Sequence, residues 1–180
     1  MTPLKVWTIG HSTRSLEEFV AILRAHEIEL LADVRHFPGS RRFPHFGREP
    51  FQQRLREAGI GYEHFVELGG RRRVRPDSKN FAWRNEAFRG YADYMETAEF
   101  RDGVERLLIC AQPKCTAIMC AEAVWWRCHR SLISDFLKVR GVEVLHIFDG
   151  QKVEPHPFTS AARVVEGKLS YAGGQSSLGL

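Results

Sequence analysis

Between Met119 and Arg130 the chain carries two thiols, a carboxylate, an imidazole and a guanidinium: Met119-Cys120-Ala121-Glu122 is followed by Cys128-His129-Arg130. A cysteine attacks as its thiolate, and cationic neighbours or a helix N-terminus favour that form. Cys128 and His129 stand just before a helix predicted from Ser131, with Arg127 and Arg130 beside them. That helix start adds about half a positive charge. Cys120, at the end of a predicted strand, is the second candidate nucleophile. Glu122 could act as acid or base, or orient His11, His129 or an arginine. The plainer alternative is that either cysteine is a small buried apolar residue.

The same groups suit zinc, for which Cys120, Cys128, His129 and His11 are competent ligands. Spacing argues against it. Seven residues separate the two cysteines, unlike the short CxxC of ribbons and fingers, and adjacent Cys128 and His129 would need a bent backbone to share one ion. Cys110 and Cys115 read as structural.

Negative charge would be met by other residues. Arg35 can offer a bidentate fork to a phosphate or carboxylate, unless it forms a salt bridge with Asp33 that fixes the following loop. His11 and Ser12 precede a capped helix whose free N–H groups could hold an anion. Neither GxGxxG nor GxxxxGK[ST] occurs, so there is no nucleotide fingerprint. Cys120 to Arg127 is no phosphatase loop, because it has no glycine and carries Trp125 and Trp126 in its middle.

These groups need strands and helices to bring them together. Leu4 to Ile9 reads as a first strand ending at Gly10. Ile28 to Val34 is a second, nearly all apolar, as a strand covered on both faces would be. Ile60 to Leu68, closing at Gly69-Gly70, Thr116 to Cys120 and Val142 to Phe148 complete the set. Helices are predicted from the Ser15–Glu18 capping box to about His26, over Phe51 to Ala58 behind Pro50, over Asn85 to Glu96, over Ala98 to Cys110 and over Ser131 to Val139. Phe100, Val104, Leu107 and Leu108 form one apolar stripe. Tyr91, Tyr94 and Met95 would pack in their helix, with a tyrosine hydroxyl within reach of the pocket. His45, His64 and His156 are expected on the surface or in loops.

Strands alternating with helices argue for an α/β fold: a single domain over 1–172 with a largely parallel sheet flanked by helices, Rossmann-like but without the dinucleotide fingerprint, and a flexible tail over 173–180. In such sheets ligands bind beyond the carboxyl ends of the strands. His11 and Ser12, Asp33 and Arg35, Cys120 and Glu122, and His146 with Asp149 all fall at such ends.

At 180 residues the chain can bury a core without disulfides or metal. Its net charge of +4 is unevenly spread. From Arg35 to Arg48 there are four arginines and two histidines with no acid, and Arg71-Arg72-Arg73-Val74-Arg75 forms a second basic cluster. Such fields attract phosphates, carboxylates or nucleic acid. The first cluster lies in a loop that Phe37, Phe43 and Phe46 would order; the segment from Arg71 to Asn80 is expected to be mobile. No export signal or apolar span is visible, so four reduced thiols in a cytoplasmic setting are expected, with no membrane contact.

Thr8-Ile-Gly-His-Ser12, Asp33-Val-Arg35 with Pro38 and Ser40, Leu68-Gly-Gly70, Met119-Cys-Ala-Glu122, Cys128-His-Arg130 and His146-Ile147, in this order, resemble the DUF488 family of small prokaryotic proteins of unknown function. The likeness runs from about Lys5 to about Tyr171 and implies a compact α/β domain with a shared polar site. It brings no reaction with it.

The residues themselves suggest an enzyme of thiol or acid/base chemistry on a small anionic, phosphate- or nucleotide-like substrate, a thiol-dependent transferase or hydrolase above all. Cys120, Glu122, Cys128 and His129 would be the catalytic set. His11, Ser12, Asp33, Arg35, Ser40, Arg130 and His146 would bind substrate, with no metal. Two alternatives stay open: a nucleic-acid-binding module using basic loops 35–48 and 71–75, and a Cys/His zinc protein. Cofactor and oligomeric state are not legible.

Overall fold

The computed structural model of the chain describes residues 1–173. The tail expected over 173–180 therefore lies, beyond Gly173, outside the described residues. Along the chain run β1 (Lys5–Gly10), α1 (Leu16–Ala25), β2 (Leu30–Asp33), α2 (Arg48–Glu57), β3 (Gly61–His64), α3 (Glu86–Tyr94), α4 (Ala98–Ala111), β4 (Thr116–Cys120), α5 (Arg130–Val139), β5 (Glu143–Ile147), β6 (Val153–Pro155), β7 (Arg163–Val165) and β8 (Lys168–Ser170). The first six strands make one sheet in the order β3-β2-β4-β1-β5-β6. All its pairings are parallel except that of β5 with β6. The mixed α/β architecture matches the Rossmann-like expectation.

The helices cover both faces. Phe19, Val20, Ile22 and Leu23 of α1 and Phe51 and Leu55 of α2 pack with Ile9, Leu31, Ala117 and Met119 on one side. On the other, Tyr91 of α3, Phe100, Val104 and Leu107 of α4 and Leu132, Ile133 and Leu137 of α5 pack with Val6, Ala32, Ile118 and Cys120. Burial of this kind contributes roughly 1.5–3 kcal/mol per large apolar side chain. Alternation along β4 thus sends Met119 towards α1 and Cys120 towards α5.

Neighbouring β1 and β4 lead to helices on opposite faces, β1 to α1 and β4 to α5. Their carboxyl ends open a crevice at a topological switch point, where open α/β sheets bind ligands. Register places the site residues there. Gly10 lies opposite Cys120 and Asp33 opposite Met119, and the ladder continues past the strands, His11 N–H donating to Cys120 O at 2.9 Å and Val34 N–H to Met119 O at 3.0 Å.

The Ser15 cap forms as expected, its hydroxyl accepting from Glu18 N–H at 3.1 Å. Several boundaries differ from expectation. β2 and β3 are short because their pairing stops at Asp33 and His64, after which Val66–Leu68 makes a 3-10 turn that buries Leu68. The segment after Arg71, expected to be mobile, is pinned by the Asp93 carboxylate, which accepts from Arg75 N–H, Ser78 Oγ and Asn80 Nδ2 at 2.6–2.8 Å. The edge strand β6 and the β7–β8 hairpin escape the periodicity argument because each has three residues. No helix of the described residues is long and apolar enough to cross a membrane.

Candidate active site

Cys120 and Cys128 meet at the floor of the crevice. Their sulfurs lie 3.0 Å apart, and both thiols are free and buried. The Arg130 guanidinium closes the group: Nε donates to Cys120 Sγ at 3.0 Å and to Cys128 Sγ at 3.3 Å. The Arg130 backbone N–H, in the first turn of α5, points to Cys128 Sγ at 3.4 Å. Burial by itself raises the Cys128 thiol. The hydrogen bond from Cys120 and the charge of Arg130 outweigh it and hold Cys128 well below the usual thiol range. Cys120 is pushed up by burial and by its bond to Cys128. These shifts favour the thiolate at Cys128 and the protonated thiol at Cys120.

Arg130 is 1% exposed and does not line the cavity. Expected to grip a substrate's charge, it is spent on the protein: besides the sulfurs, Nη2 donates to Glu122 O at 2.7 Å and Nη1 to Thr8 Oγ1 at 3.1 Å. Behind Thr8 runs a buried chain. Thr8 Oγ1 lies 2.6 Å from His146 Nδ1, His146 Nε2 2.8 Å from His156 Nδ1, and His156 Nε2 2.8 Å from Asp135 Oδ1. Since Thr8 accepts from Arg130, its one O–H donates to His146 Nδ1. Burial, with the charge of Arg130, lowers His146 to about 2, so the ring is neutral and its Nε2–H donates onward to His156. Asp135 also accepts from the Thr159 N–H and hydroxyl and from the Tyr171 hydroxyl.

His156 therefore departs from the expected surface position. It is 2% exposed and sits in the middle of this chain, because β6 folds back antiparallel on β5 and returns His156 beside His146. His146, assigned to substrate binding from its strand end, also lies behind the floor and not on the cavity wall. Asp149 is at the surface, capping the turn before β6 through Gln151 and Lys152 N–H.

Above the dithiol lies a cavity of about 680 Å³. Its walls include His11, Ser12, Arg35, Ser40, Glu122 and His129 of the expected set, joined by Arg42 and Arg71. Arg35 is held from behind. Nε and Nη2 donate to Asp33 at 2.7–3.1 Å and Nη1 to Phe46 O at 2.7 Å, while the Tyr62 hydroxyl donates to Asp33 at 2.5 Å. Asp33, fully buried, is thus a clamp that sets Arg35 and leaves N–H groups on the Nη edge for a ligand. His129 Nε2–H donates to Val34 O at 2.8 Å, and burial lowers its pKa, so the Nδ1 lone pair is available. His11 is stacked on Phe46 at 4.2 Å and lowered to about 4 by burial. Its Nδ1–H donates to Ser12 O, and its buried Nε2 has no partner among the described residues. Ser12 and Arg71, both on the wall, hold φ of 51° and 62°, a left-handed conformation that non-glycine residues adopt at a cost.

Neither tyrosine of α3 reaches this cavity: the Tyr91 hydroxyl donates to Leu68 O and that of Tyr94 to Glu67 O. His45 and His64 are half-buried and donate to the Arg14 and Arg35 carbonyls. Among the described residues no group of three or more His, Cys, Asp or Glu side chains is arranged to hold a metal ion. Of the four candidate zinc ligands, the two histidines use a ring nitrogen on backbone carbonyls, and Arg130 takes the cation's place beside both sulfurs.

Thr8, Tyr62, Asp135 and His156 escaped the site assignment made from sequence. Thr8 carried a signal as the first residue of the Thr8–Ser12 motif, and Asp135 as an acid one residue from the apolar stripe of α5. Comparisons with curated proteins and with solved structures find no match. A family model described as "Domain of unknown function DUF488" matches residues 15–137. The match takes in Asp33, Arg35, both cysteines and Arg130, and leaves outside it the Thr8–Ser12 and His146 segments that had extended the likeness. With more than half its length matched, the chain belongs to the DUF488 family.

Proposed function

We propose that the protein is an enzyme in which the Cys128 thiolate attacks a small anionic, phosphate- or nucleotide-like substrate, as a thiol-dependent transferase or hydrolase does. The observation that carries this reading is Arg130, a buried guanidinium touching both sulfurs at the floor of a cavity whose walls bring Arg35, Arg42 and Arg71. A thiolate stabilised by a cation and a helix N-terminus is a nucleophile near neutral pH. Cys120 keeps its proton and fixes the lone pairs of Cys128. His129 Nδ1 accepts a proton and Glu122, exposed at the mouth, exchanges one with solvent. The three cavity arginines hold the substrate's charge, with the Ser12 and Ser40 hydroxyls beside them. A reducing, cytoplasmic setting suits such a dithiol.

A nucleic-acid role for the basic loops is the second reading. It is favoured by exposed Phe37 and Phe81 near Arg71 and Arg89. It is weakened by internal use of the charges: Arg72 stacks on Tyr94, and Arg75 pairs with Asp77 and Glu96.

Protection from alkylation separates the two. Inorganic phosphate and mononucleotides should slow iodoacetamide capture of Cys128, and Arg35→Gln or Arg71→Ala should weaken that protection about tenfold. Protection absent for every anion tried overturns the substrate class. Protection only by long oligonucleotides, with a steep salt dependence, supports the second reading.

A further inference from the structure

The mechanism above uses one sulfur, yet the floor holds two. Cys120 comes from the end of β4 and Cys128 from the turn before α5, and Arg130 Nε touches both sulfurs at once. Both cysteines line the cavity, with Cys128 the more exposed at 7%. A disulfide has its sulfurs about 2.05 Å apart, so a pair at 3.0 Å closes with about half an ångström of movement by each. Cys110 and Cys115 stand apart from this group, one beside Glu63 and the other beside the His26 carbonyl.

We infer that Cys128 and Cys120 form a reversible redox pair, Cys128 being oxidised by a hydroperoxide that enters the cavity and Cys120 resolving the product to an intramolecular disulfide that switches the site off. The inference rests on the thiolate proposed above. In the first step the Cys128 sulfur attacks a peroxide oxygen and the O–O bond breaks. The sulfur loses two electrons and becomes a sulfenic acid, and the peroxide is reduced to water or an alcohol, taking its proton from solvent. In the second the Cys120 sulfur attacks Cys128 Sγ. An S–S bond forms, hydroxide leaves from Cys128, and the Cys120 proton converts it to water.

Arg130 sets how long the switch stays closed. In the dithiol state its charge faces a thiolate and its Nε–H has acceptors. In the disulfide the thiolate is gone and a guanidinium that is 1% exposed loses its counter-charge. Stabilising the reduced form makes a disulfide more oxidising, hence readily reopened by small thiols. The pair is therefore a transient switch and not a structural cross-link.

The test is intact-mass and peptide analysis of the whole protein after brief treatment with hydrogen peroxide. Wild type should lose about 2 Da, two hydrogens, with Cys120 and Cys128 linked, and should regain the original mass in glutathione. Cys120→Ser should instead gain about 16 Da, one oxygen, at Cys128, trapped by a 1,3-dicarbonyl reagent. Should that variant fold poorly, a trivalent arsenical, which bridges neighbouring thiols, should bind wild type with one arsenic across Cys120 and Cys128. Oxidation that leaves the two unlinked, links Cys110 or Cys115 instead, or resists glutathione overturns the inference. Failure here with a low thiol pKa intact sinks the switch and spares the nucleophile; a disulfide formed by thiols that titrate at ordinary values does the reverse.

Discussion

The Thr8 hydroxyl accepts from Arg130 at 3.1 Å and donates to His146, 2.6 Å away. A buried threonine thereby ties the cation under the thiolate to a chain that ends on the Asp135 carboxylate. Every hydrogen of that chain points away from the sulfurs, and Asp135 accepts from three other donors as well. The chain fixes the direction in which Arg130 presents its Nε–H.

Thr8→Val keeps the shape and removes the oxygen. Arg130 Nη1 then lacks an acceptor, and the Cys128 thiol should rise towards its ordinary value. Alkylation at pH 7 should slow accordingly while thermal unfolding shows the variant folded. His146→Gln should give the same direction. An unchanged profile in both folded variants would reduce the chain to a packing feature.

Gly10 is the residue on which the crevice geometry depends. A Cβ there would stand 1.6 Å from Glu122 O, a backbone atom that cannot give way. Gly10→Ala should therefore cost about 3 kcal/mol or more and separate β1 from the loop that carries Glu122. Urea denaturation measures the cost. A loss under about 1 kcal/mol would mean that the loop shifts freely.

Asp33→Asn breaks a buried ion pair from one side and leaves Arg35 uncompensated, which costs about 3–5 kcal/mol. If the variant remains folded, phosphate protection of Cys128 should weaken, because Arg35 is no longer aimed. Equal protection with unchanged stability would show that Arg35 is held by Phe46 O alone.

Stability should fall as pH drops below about 6.5. His11 and His146 are neutral in the fold, with values near 4 and 2, while in the unfolded chain they take up protons at about 6.5. A group lowered by folding stabilises above its unfolded value and loses that contribution as pH falls towards its folded one. For His11 this amounts to roughly 3 kcal/mol, at about 1.4 kcal/mol per unit. The urea midpoint measured from pH 7.5 to 4.5 should show the decline, and His11→Phe, which keeps the stacking on Phe46, should flatten it. A variant with the same slope as wild type would assign the decline to other groups.

How much of this was legible in the sequence follows from the range of each signal. The strands β1, β2, β4 and β5 and all the helices announce themselves through local apolar periodicity, and strand ends then locate His11, Arg35 and the Cys120 loop. What local pattern does not carry is depth. Arg130 and His146 sit at the right ends of their elements but face inward, since alternation along β1 and β5 turns Thr8 and His146 to the α5 side. His156 is hidden by a three-residue strand, too short for any period. Its prolines on both sides suggest a loop, whereas the antiparallel return of β6 buries it. The assignment of Asp33 to substrate fails to see Tyr62, which reaches it from another strand and completes the clamp on Arg35.

The direct test of the account is the pH dependence of Cys128 alkylation by iodoacetamide, read by peptide mass in a Cys110→Ser, Cys115→Ser background. A thiolate held at Cys128 gives an inflexion well below the free-thiol value of about 8.5, with Cys128 modified before Cys120. An inflexion at or above that value, or Cys120 reacting first, would contradict a thiolate held at Cys128 by Arg130.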